Sequence, residues 1–340
     1  MIDEPVNVDE KYMKRALQLA SMGSGGAHPN PMVGAVVVHG DKIIGEGYHQ
    51  CYGSHHAEVN AVNSISDKNL LKGSTLYVTL EPCAHYGKTP PCADLVIASG
   101  FPKVVVGTVD PFGKVNGLGI KKMKDAGIEV ITGVLEEECR QLNEKFFTAH
   151  EKHRPYITLK WASSSDGFIA RCVDGKPVSV PLSTPATQVL VHKLRSENDA
   201  IMVAAGTVMA DNPLLDTRLW PGRNPIKIVL DSRGDVPSDS RLLTEGRIIY
   251  FSDVNRQDLP TGVEIITDVD THDLAAVMER LYEKGIASVL VEGGATLLNR
   301  LLNQGLYDSI RHETSPMTLG NEGYGQVKTD GVPHAGTRGS

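Results

Sequence analysis

The chain has no surplus of positive charge. Its 34 Lys and Arg stand against 41 Asp and Glu, a net of -7. A broad nucleic-acid surface needs the opposite balance, so nucleic acid is not expected as a partner. No apolar run approaches the roughly 18 residues that a membrane span requires. Asp3, Glu4, Asp9 and Glu10 sit where a secretory leader would carry basic residues ahead of an apolar stretch. Cysteine is sparse and odd in number: Cys51, Cys83, Cys92, Cys139 and Cys172. That count makes no disulfide framework, and a reducing, cytoplasmic setting is expected. Internal repeats and low-complexity segments are also missing. What remains is a globular composition, 41% hydrophobic and 22% charged, over 340 residues, enough for two domains.

Periodicity predicts an amphipathic helix over 10–22 behind Asp9 as N-cap, then a stiff loop through His28-Pro29-Asn30-Pro31. A buried strand (33–38) and a hairpin partner (41–47) follow, turning at Gly40. A helix begins at His56, a strand covers 75–80, and a helix starts near Cys92 after Pro90-Pro91. Strand 104–106, helix 118–126, strand 128–131 and one long helix from Leu135 through Phe146 complete a mostly parallel α/β/α layer pattern. Lys152-His153-Arg154-Pro155 marks a boundary, so domains of 1–150 and 151–340 are expected. The second alternating series has strands at 156–161, 200–204, 226–230, 247–251 and 287–291. Its helices lie behind Ser183 or Thr184, over 271–284, and from Gly293-Gly294 to Leu302. Residues 320–340 are Gly-rich without apolar periodicity, and a loose tail is expected there.

The chemistry concentrates between His56 and Cys92. His56-Ala57-Glu58 is followed by Glu81-Pro82-Cys83, and Cys92 comes after eight intervening residues. One His and two Cys can hold Zn²⁺ in three positions and leave the fourth for water, whose pKa the ion lowers to about 7. Glu58, not itself a ligand, can carry the proton for that water. Zinc nucleobase deaminases combine these residue types in this order, with two residues rather than eight between the cysteines. A purely structural zinc site is the alternative. Three ligands, an open position and a Glu two residues from the His weigh against it. The other three cysteines read as buried free thiols, Cys51 as a bystander. In the second half, Val291-Glu292-Gly293-Gly294 runs from a strand into a helix start, a ready anion site. Ala205-Gly206-Thr207 with Asp211-Asn212-Pro213 reads as a second loop of that kind. No Gly-x-Gly-x-x-Gly follows the first strand, so an ordinary Rossmann site is not supported.

These residues resemble the bacterial riboflavin-biosynthesis deaminase/reductase family. The similarity rests on His28 to Ala35, Gly47-Tyr48-His49, His56-Ala57-Glu58 and the run from Glu81 to Cys92, whose long cysteine spacing is that family's own. In the second half it rests on Lys160, Ser164 to Gly167, Gly206 to Pro213, Leu215 to Arg218, Leu230-Asp231-Ser232 and Val291 to Gly294. The resemblance implies a cytidine-deaminase-like three-layer α/β/α domain followed by a dihydrofolate-reductase-like α/β domain. It implies Zn²⁺ on His56, Cys83 and Cys92, catalysis by Glu58, and substrate contacts from Asn30, His49, His85 and Lys88. The reductase half would take NADPH along Ser163, Thr207, Asp211, Ser232, Gly294, Ala295 and Thr296. Ser179, Leu215, Arg218 and Glu292 would face the sugar phosphate, where a guanidinium such as that of Arg218 is a natural clamp. The implied substrate is a small pyrimidine ribotide, deaminated first and then reduced in its ribosyl chain, and self-association is expected. Two departures bear on the reductase half. Val180-Pro181-Leu182 replaces the family's Trp-Ile-Thr, and Gln188 stands where relatives carry Arg. A deaminase with a degenerate reductase half, another zinc nucleobase or nucleoside deaminase, and a non-catalytic nucleotide-binding module remain the alternatives.

Overall fold

The computed structural model describes residues 7–86, 90–112 and 116–329. It divides into two units, Met1–Lys152 and His153–Ser340. Among the described residues, no helix is long and apolar enough to cross a membrane.

The first unit contains α1 (Val8–Ser21), β1 (Gly34–His39), β2 (Lys42–Tyr48), α2 (Ala57–Asn63), β3 (Ser74–Leu80), α3 (Cys92–Ser99), β4 (Lys103–Thr108), α4 (Leu118–Asp125), β5 (Glu129–Thr132), α5 (Glu136–Leu142) and α6 (Glu144–Lys152). The strand order is β2-β1-β3-β4-β5. β1 runs antiparallel to β2 and β3, whereas β3, β4 and β5 are parallel. The sheet is therefore mixed, not mostly parallel: the turn at Gly40, whose φ of 58° suits glycine, folds β2 back on β1. Ala35 and Val37 of β1 pack with Ala61 of α2, Val96 of α3 and Met123 of α4. The alternate residues Val36 and Val38 pack with Met13 and Ala16 of α1 and Cys139 of α5. Both faces of the sheet are covered, which is why its strands read as continuous apolar runs. The result is the three-layer α/β/α arrangement.

Two details differ from the sequence reading. Asn7, not Asp9, caps α1, its side chain accepting from the Asp9 amide at 3.1 Å. Asp9 instead accepts the Tyr77 hydroxyl at 2.8 Å, tying the helix to β3. The single long helix expected from Leu135 is two, broken at Asn143. The Asn143 amide bonds both the N–H and the C=O of Met32, each at 2.8 Å. It leaves helical geometry to pin the loop that carries Asn30, which periodicity does not reveal.

The second unit contains β6 (Tyr156–Ser163), β7 (Phe168–Val173), β8 (Lys176–Val178), α7 (Pro185–Ser196), β9 (Ala200–Ala204), α8 (Ala205–Asp211), β10 (Ile226–Leu230), β11 (Ile248–Phe251), β12 (Val263–Ile266), α9 (Leu274–Glu283), β13 (Ser288–Val291), α10 (Ala295–Asn303), β14 (Ser309–Thr314) and β15 (Gly323–Gln326). Its main sheet has the order β12-β11-β10-β9-β13-β6-β14, with every pairing parallel. β9 to β12 are laid down in one direction, while β13, β6 and β14 lie on the other side of β9. The order reverses there, and such switch points leave a crevice at the carboxyl ends of the strands. Thr184 caps α7, accepting from the Thr187 amide at 3.2 Å. Ala205 to Asp211, read from sequence as a loop, is the helix α8, and Asn212 ends it at a φ of 38°.

The tail reading needs a correction as well. Residues 323–326 form β15, antiparallel to β7 in a small sheet with β8. A Cβ on Gly323 would fall 2.2 Å from the Phe168 ring, so this glycine marks a close strand approach. The stretch 330–340, read as loose, lies outside the described residues.

Candidate active sites

In the first unit, three elements deliver the metal-binding set. His56 is the N-cap of α2, Cys83 follows the end of β3, and Cys92 opens α3. His56 Nδ1 lies 3.2 Å from Cys92 Sγ and 3.7 Å from Cys83 Sγ, and the three ligand atoms lie within 4.8 Å of one another. A tetrahedral ion with Zn–S near 2.3 Å and Zn–N near 2.0 Å spans about those separations, so the donor set fits zinc. Among the described residues, this is the one group of His, Cys, Asp or Glu placed to hold a metal. A hydrogen bond between the sulfurs holds the Cys83 thiol down, to about 4, and with burial pushes Cys92 up. A divalent cation held there would displace their shared proton and be bound by both as thiolates. Glu58 is buried, and burial, then the Cys83 charge, raises its pKa above the ordinary carboxylate value.

A pocket of about 430 Å³ opens over this set. Asn30, His49 and His85 line it, together with His56, Glu58 and Cys83. His49 Nδ1 lies 3.1 Å from the His55 carbonyl, and its Nε2 lies 3.1 Å from Asn30 Nδ2. A carbonyl only accepts, so Nδ1 carries the proton and Nε2 accepts from Asn30. Burial lowers the His49 pKa, in keeping with that neutral ring. Lys88 lies outside the described residues.

The pocket also has members that the sequence reading missed. Asp110 and Phe112 come from the loop after β4, and Phe146 and His150 from α6. The rings form a chain: His85 to Phe112 at 6.3 Å, Phe112 to His150 at 5.2 Å, and His150 to Phe146 at 4.5 Å. Burial pushes the Asp110 carboxyl up to about 6. The loop is held by Glu81, two residues before Cys83. Its carboxylate accepts the amides of Asp110, Gly117, Gly119 and Ile120 at 2.9–3.2 Å. Such charge-assisted bonds contribute about 1.5–3 kcal/mol each. Glu81 stands beside the motif, but nothing local announces partners 29 to 39 residues away. Of the three remaining cysteines, Cys51 is exposed, Cys172 half-buried and Cys139 buried; all five are free.

In the second unit, a cavity of about 1110 Å³ lies across the carboxyl ends of β6, β9, β10 and β13. Ser179, Thr207, Asp211, Leu215, Arg218, Ser232, Glu292, Gly294, Ala295 and Thr296 all line it. Ser163 does not: it is buried, with Oγ 2.8 Å from His312 Nε2. A Cβ on Gly206 would meet nothing within 4 Å, and one on Gly294 only Thr207 Oγ1, at 3.6 Å. Gly294 caps α10 without a side-chain bond, which leaves first-turn amides for an anionic ligand. Open backbone beside a helix start fits the diphosphate of a dinucleotide. Lys160, His192 and Arg195 also line the cavity, and no short motif singled out the last two.

The family model described as the RibD C-terminal domain matches residues 155–335. The model for the cytidine and deoxycytidylate deaminase zinc-binding region matches residues 6–108. Riboflavin biosynthesis protein RibD of Aquifex aeolicus is 41% identical over 320 residues, 92% of this chain and 88% of that protein. The Escherichia coli protein of the same name is 38% identical over 342 residues, 95% and 92% of the two chains. Among solved structures, a diaminohydroxyphosphoribosylaminopyrimidine deaminase/5-amino-6-(5-phosphoribosylamino)uracil reductase from Thermotoga maritima matches with a TM-score of 0.83 and 42% identity, covering 94% of this chain and 90% of that one. Acinetobacter baumannii RibD matches with a TM-score of 0.84 and 35% identity, over 94% and 89% of the chains. Both site-bearing units fall inside these matches, and the chain belongs to the RibD family of riboflavin biosynthesis proteins.

Proposed function

We propose that residues 1–150 deaminate 2,5-diamino-6-(5-phosphoribosylamino)pyrimidin-4(3H)-one to 5-amino-6-(5-phosphoribosylamino)uracil, and that residues 151–340 then reduce the ribosyl chain to ribityl with NADPH. The observation that carries the first step is the convergence of His56, Cys83 and Cys92 beside buried Glu58 at the base of one pocket. Zinc held by those ligands supplies Lewis-acid activation of a water molecule. Glu58 would carry the two protons of that water in turn on its carboxylate, the first to the pyrimidine ring nitrogen and the second to the departing amine. Asn30, fixed by neutral His49, bonds the pyrimidine edge, and His85 and Lys88 take the phosphate.

For the second step, Thr207, Asp211, Ser232, Gly294, Ala295 and Thr296 hold the dinucleotide, and Ser179, Leu215, Arg218 and Glu292 hold the sugar phosphate. NADPH bound there supplies the hydride. The chain's part is to seat the ribose against the nicotinamide and exclude water. Support comes from the open glycine edge and the cationic side chains of the same cavity. A second reading, a deaminase with an inactive partner, is favoured by Pro181 and Gln188, which line that cavity where relatives carry other residues. We also place the enzyme in the cytoplasm as a self-associating protein; five free thiols agree with a reducing compartment.

Metal analysis and ammonia release test the first step. Wild type should carry near one zinc per chain. Glu58→Gln should keep that zinc and lose about 10²–10⁴-fold in rate. Active protein free of metal would overturn the reading. NADPH oxidation on adding the deaminated ribotide tests the second step, and its absence would establish the inactive-partner reading. Light scattering on the full chain tests self-association.

A further inference from the structure

Part of the stretch read from sequence as a loose tail forms a strap across the second cavity. Its first anchor is Asp166, whose carboxylate accepts the Leu319 and Gly320 amides at 3.2 and 2.7 Å. Its second is Asn299 of α10, which donates to the Gln326 carbonyl at 2.9 Å and accepts the Lys328 amide at 2.8 Å. β15 runs between the two. At Gly325 the strap closes on the start of α10: a Cβ there would lie 3.3 Å from Ala295 Cβ. Beside it Tyr324 lines the cavity and is 43% exposed. Among the described residues, no aromatic ring and no hydrogen bond engages Tyr324.

Strand register fixes which part of a dinucleotide meets this ring. Tyr324 is opposite Ala170 of β7. Arg171 is opposite Val178 of β8, so the same register brings Ser179 opposite Ala170. Tyr324, Ala170 and Ser179 thus form one row on one face, with the strands about 4.8 Å apart, and all three line the cavity. Ala295 and the first-turn amides of α10 mark the place of the diphosphate, and Ser179 marks the substrate end. Ser232, Thr271 and His272 line the cavity from beyond β10 and β12, on the other side of the sheet order. That side is left for the adenosine. Between its diphosphate and the substrate, a dinucleotide carries its nicotinamide.

We propose that Tyr324 covers the nicotinamide ring of NADPH, stacking on one face and leaving the other for the ribosyl carbon. This rests on the reading above that the cavity holds NADPH with its diphosphate at α10. Aromatic faces accept flat heterocycles without requiring a hydrogen bond. A strap anchored on both sides of Tyr324 orders the ring before the cofactor arrives, which lowers the entropy lost on binding.

The test compares two ligands on the full chain by calorimetry: NADPH, and 2′-phospho-ADP-ribose, which lacks the nicotinamide alone. Tyr324→Ala should bind NADPH about tenfold more weakly and 2′-phospho-ADP-ribose as wild type does. Tyr324→Phe keeps the ring and should match wild type with both ligands. Tyr324→Leu keeps bulk but not the flat face. It should show the same selective loss, and it serves if Tyr324→Ala fails to fold. Wild-type NADPH affinity without the ring, an equal loss for both ligands, or a Tyr324→Phe as weak as Tyr324→Ala would each overturn the proposal. Failure of wild type to bind either ligand would instead overturn the reading on which it rests.

Discussion

In the first unit the proposed reacting centre is four side chains drawn from one stretch, His56 to Cys92, brought together by a helix cap, a strand end and a helix start. In the second it is a cavity edged by the ends of four parallel strands, with contributors from Lys160 to Gly325. Zinc dictates residue types: only thiolate, imidazole and carboxylate serve, at fixed distances. A dinucleotide is received largely by backbone, open space and a helix start, which many sequences provide. A site made of ligands should fail abruptly when one atom changes, whereas a site made of shape should fail by degrees.

The largest expected effect breaks the first centre alone. Cys83→Ser or exhaustive chelation should abolish zinc retention and ammonia release while NADPH-dependent reduction of supplied deaminated ribotide continues. Acidification should act in the same direction, because protons compete with the metal for the two thiolates and the imidazole. Metal content against pH, with both activities measured, checks this. Loss of both activities together would show that the two sites are not separable.

A smaller effect is expected for the second site. Gly206→Val places a branched side chain in space that is now open, and NADPH affinity measured by fluorescence should fall by about tenfold, roughly 1.4 kcal/mol. Deamination should not change. An abrupt loss of all NADPH binding would contradict the picture of a site that degrades gradually.

Asn143→Ala sharpens the comparison from the supporting residues. It removes two hydrogen bonds to Met32, worth about 1 kcal/mol each. The Asn30 loop should loosen, and KM of deamination should rise more than kcat falls, with reduction unaffected. The smallest effect is a gain. Gln188→Arg adds a cation to a cavity that Gln188 already lines, and it should lower KM for the phosphorylated reductase substrate a few-fold at low salt. An unchanged KM would show that Arg218 and its neighbours already neutralise the phosphate.

The same contrast explains what the sequence made legible. His56, Glu58, Cys83 and Cys92 were readable because their chemistry admits few residue types and their spacing is local. Asn143 was not, since a helical pattern runs straight through it and its partner is 111 residues away. The aromatic wall of Phe112, Phe146 and His150 was hidden likewise: each residue fits an ordinary core helix or loop, and only the fold assembles them. Arg195 and Glu292 lie 97 residues apart on a helix and a strand end, and periodicity speaks to neither pairing nor direction. The antiparallel pairing of β1 with β3 in the first sheet and helix α8 in the second were missed because short apolar runs carry no sign of their partners.

The central claim is that one chain carries two separate sites acting in order on one ribotide. It is tested most directly by supplying the diaminopyrimidine ribotide to the zinc-loaded full chain, with and without NADPH, and identifying the products. Without NADPH, the deaminated ribosylamino uracil should accumulate with one ammonia released per substrate. With NADPH, the ribitylamino uracil should form in its place. Ammonia release with no ribityl product when NADPH is present, or ribityl product formed without prior deamination, would contradict the account.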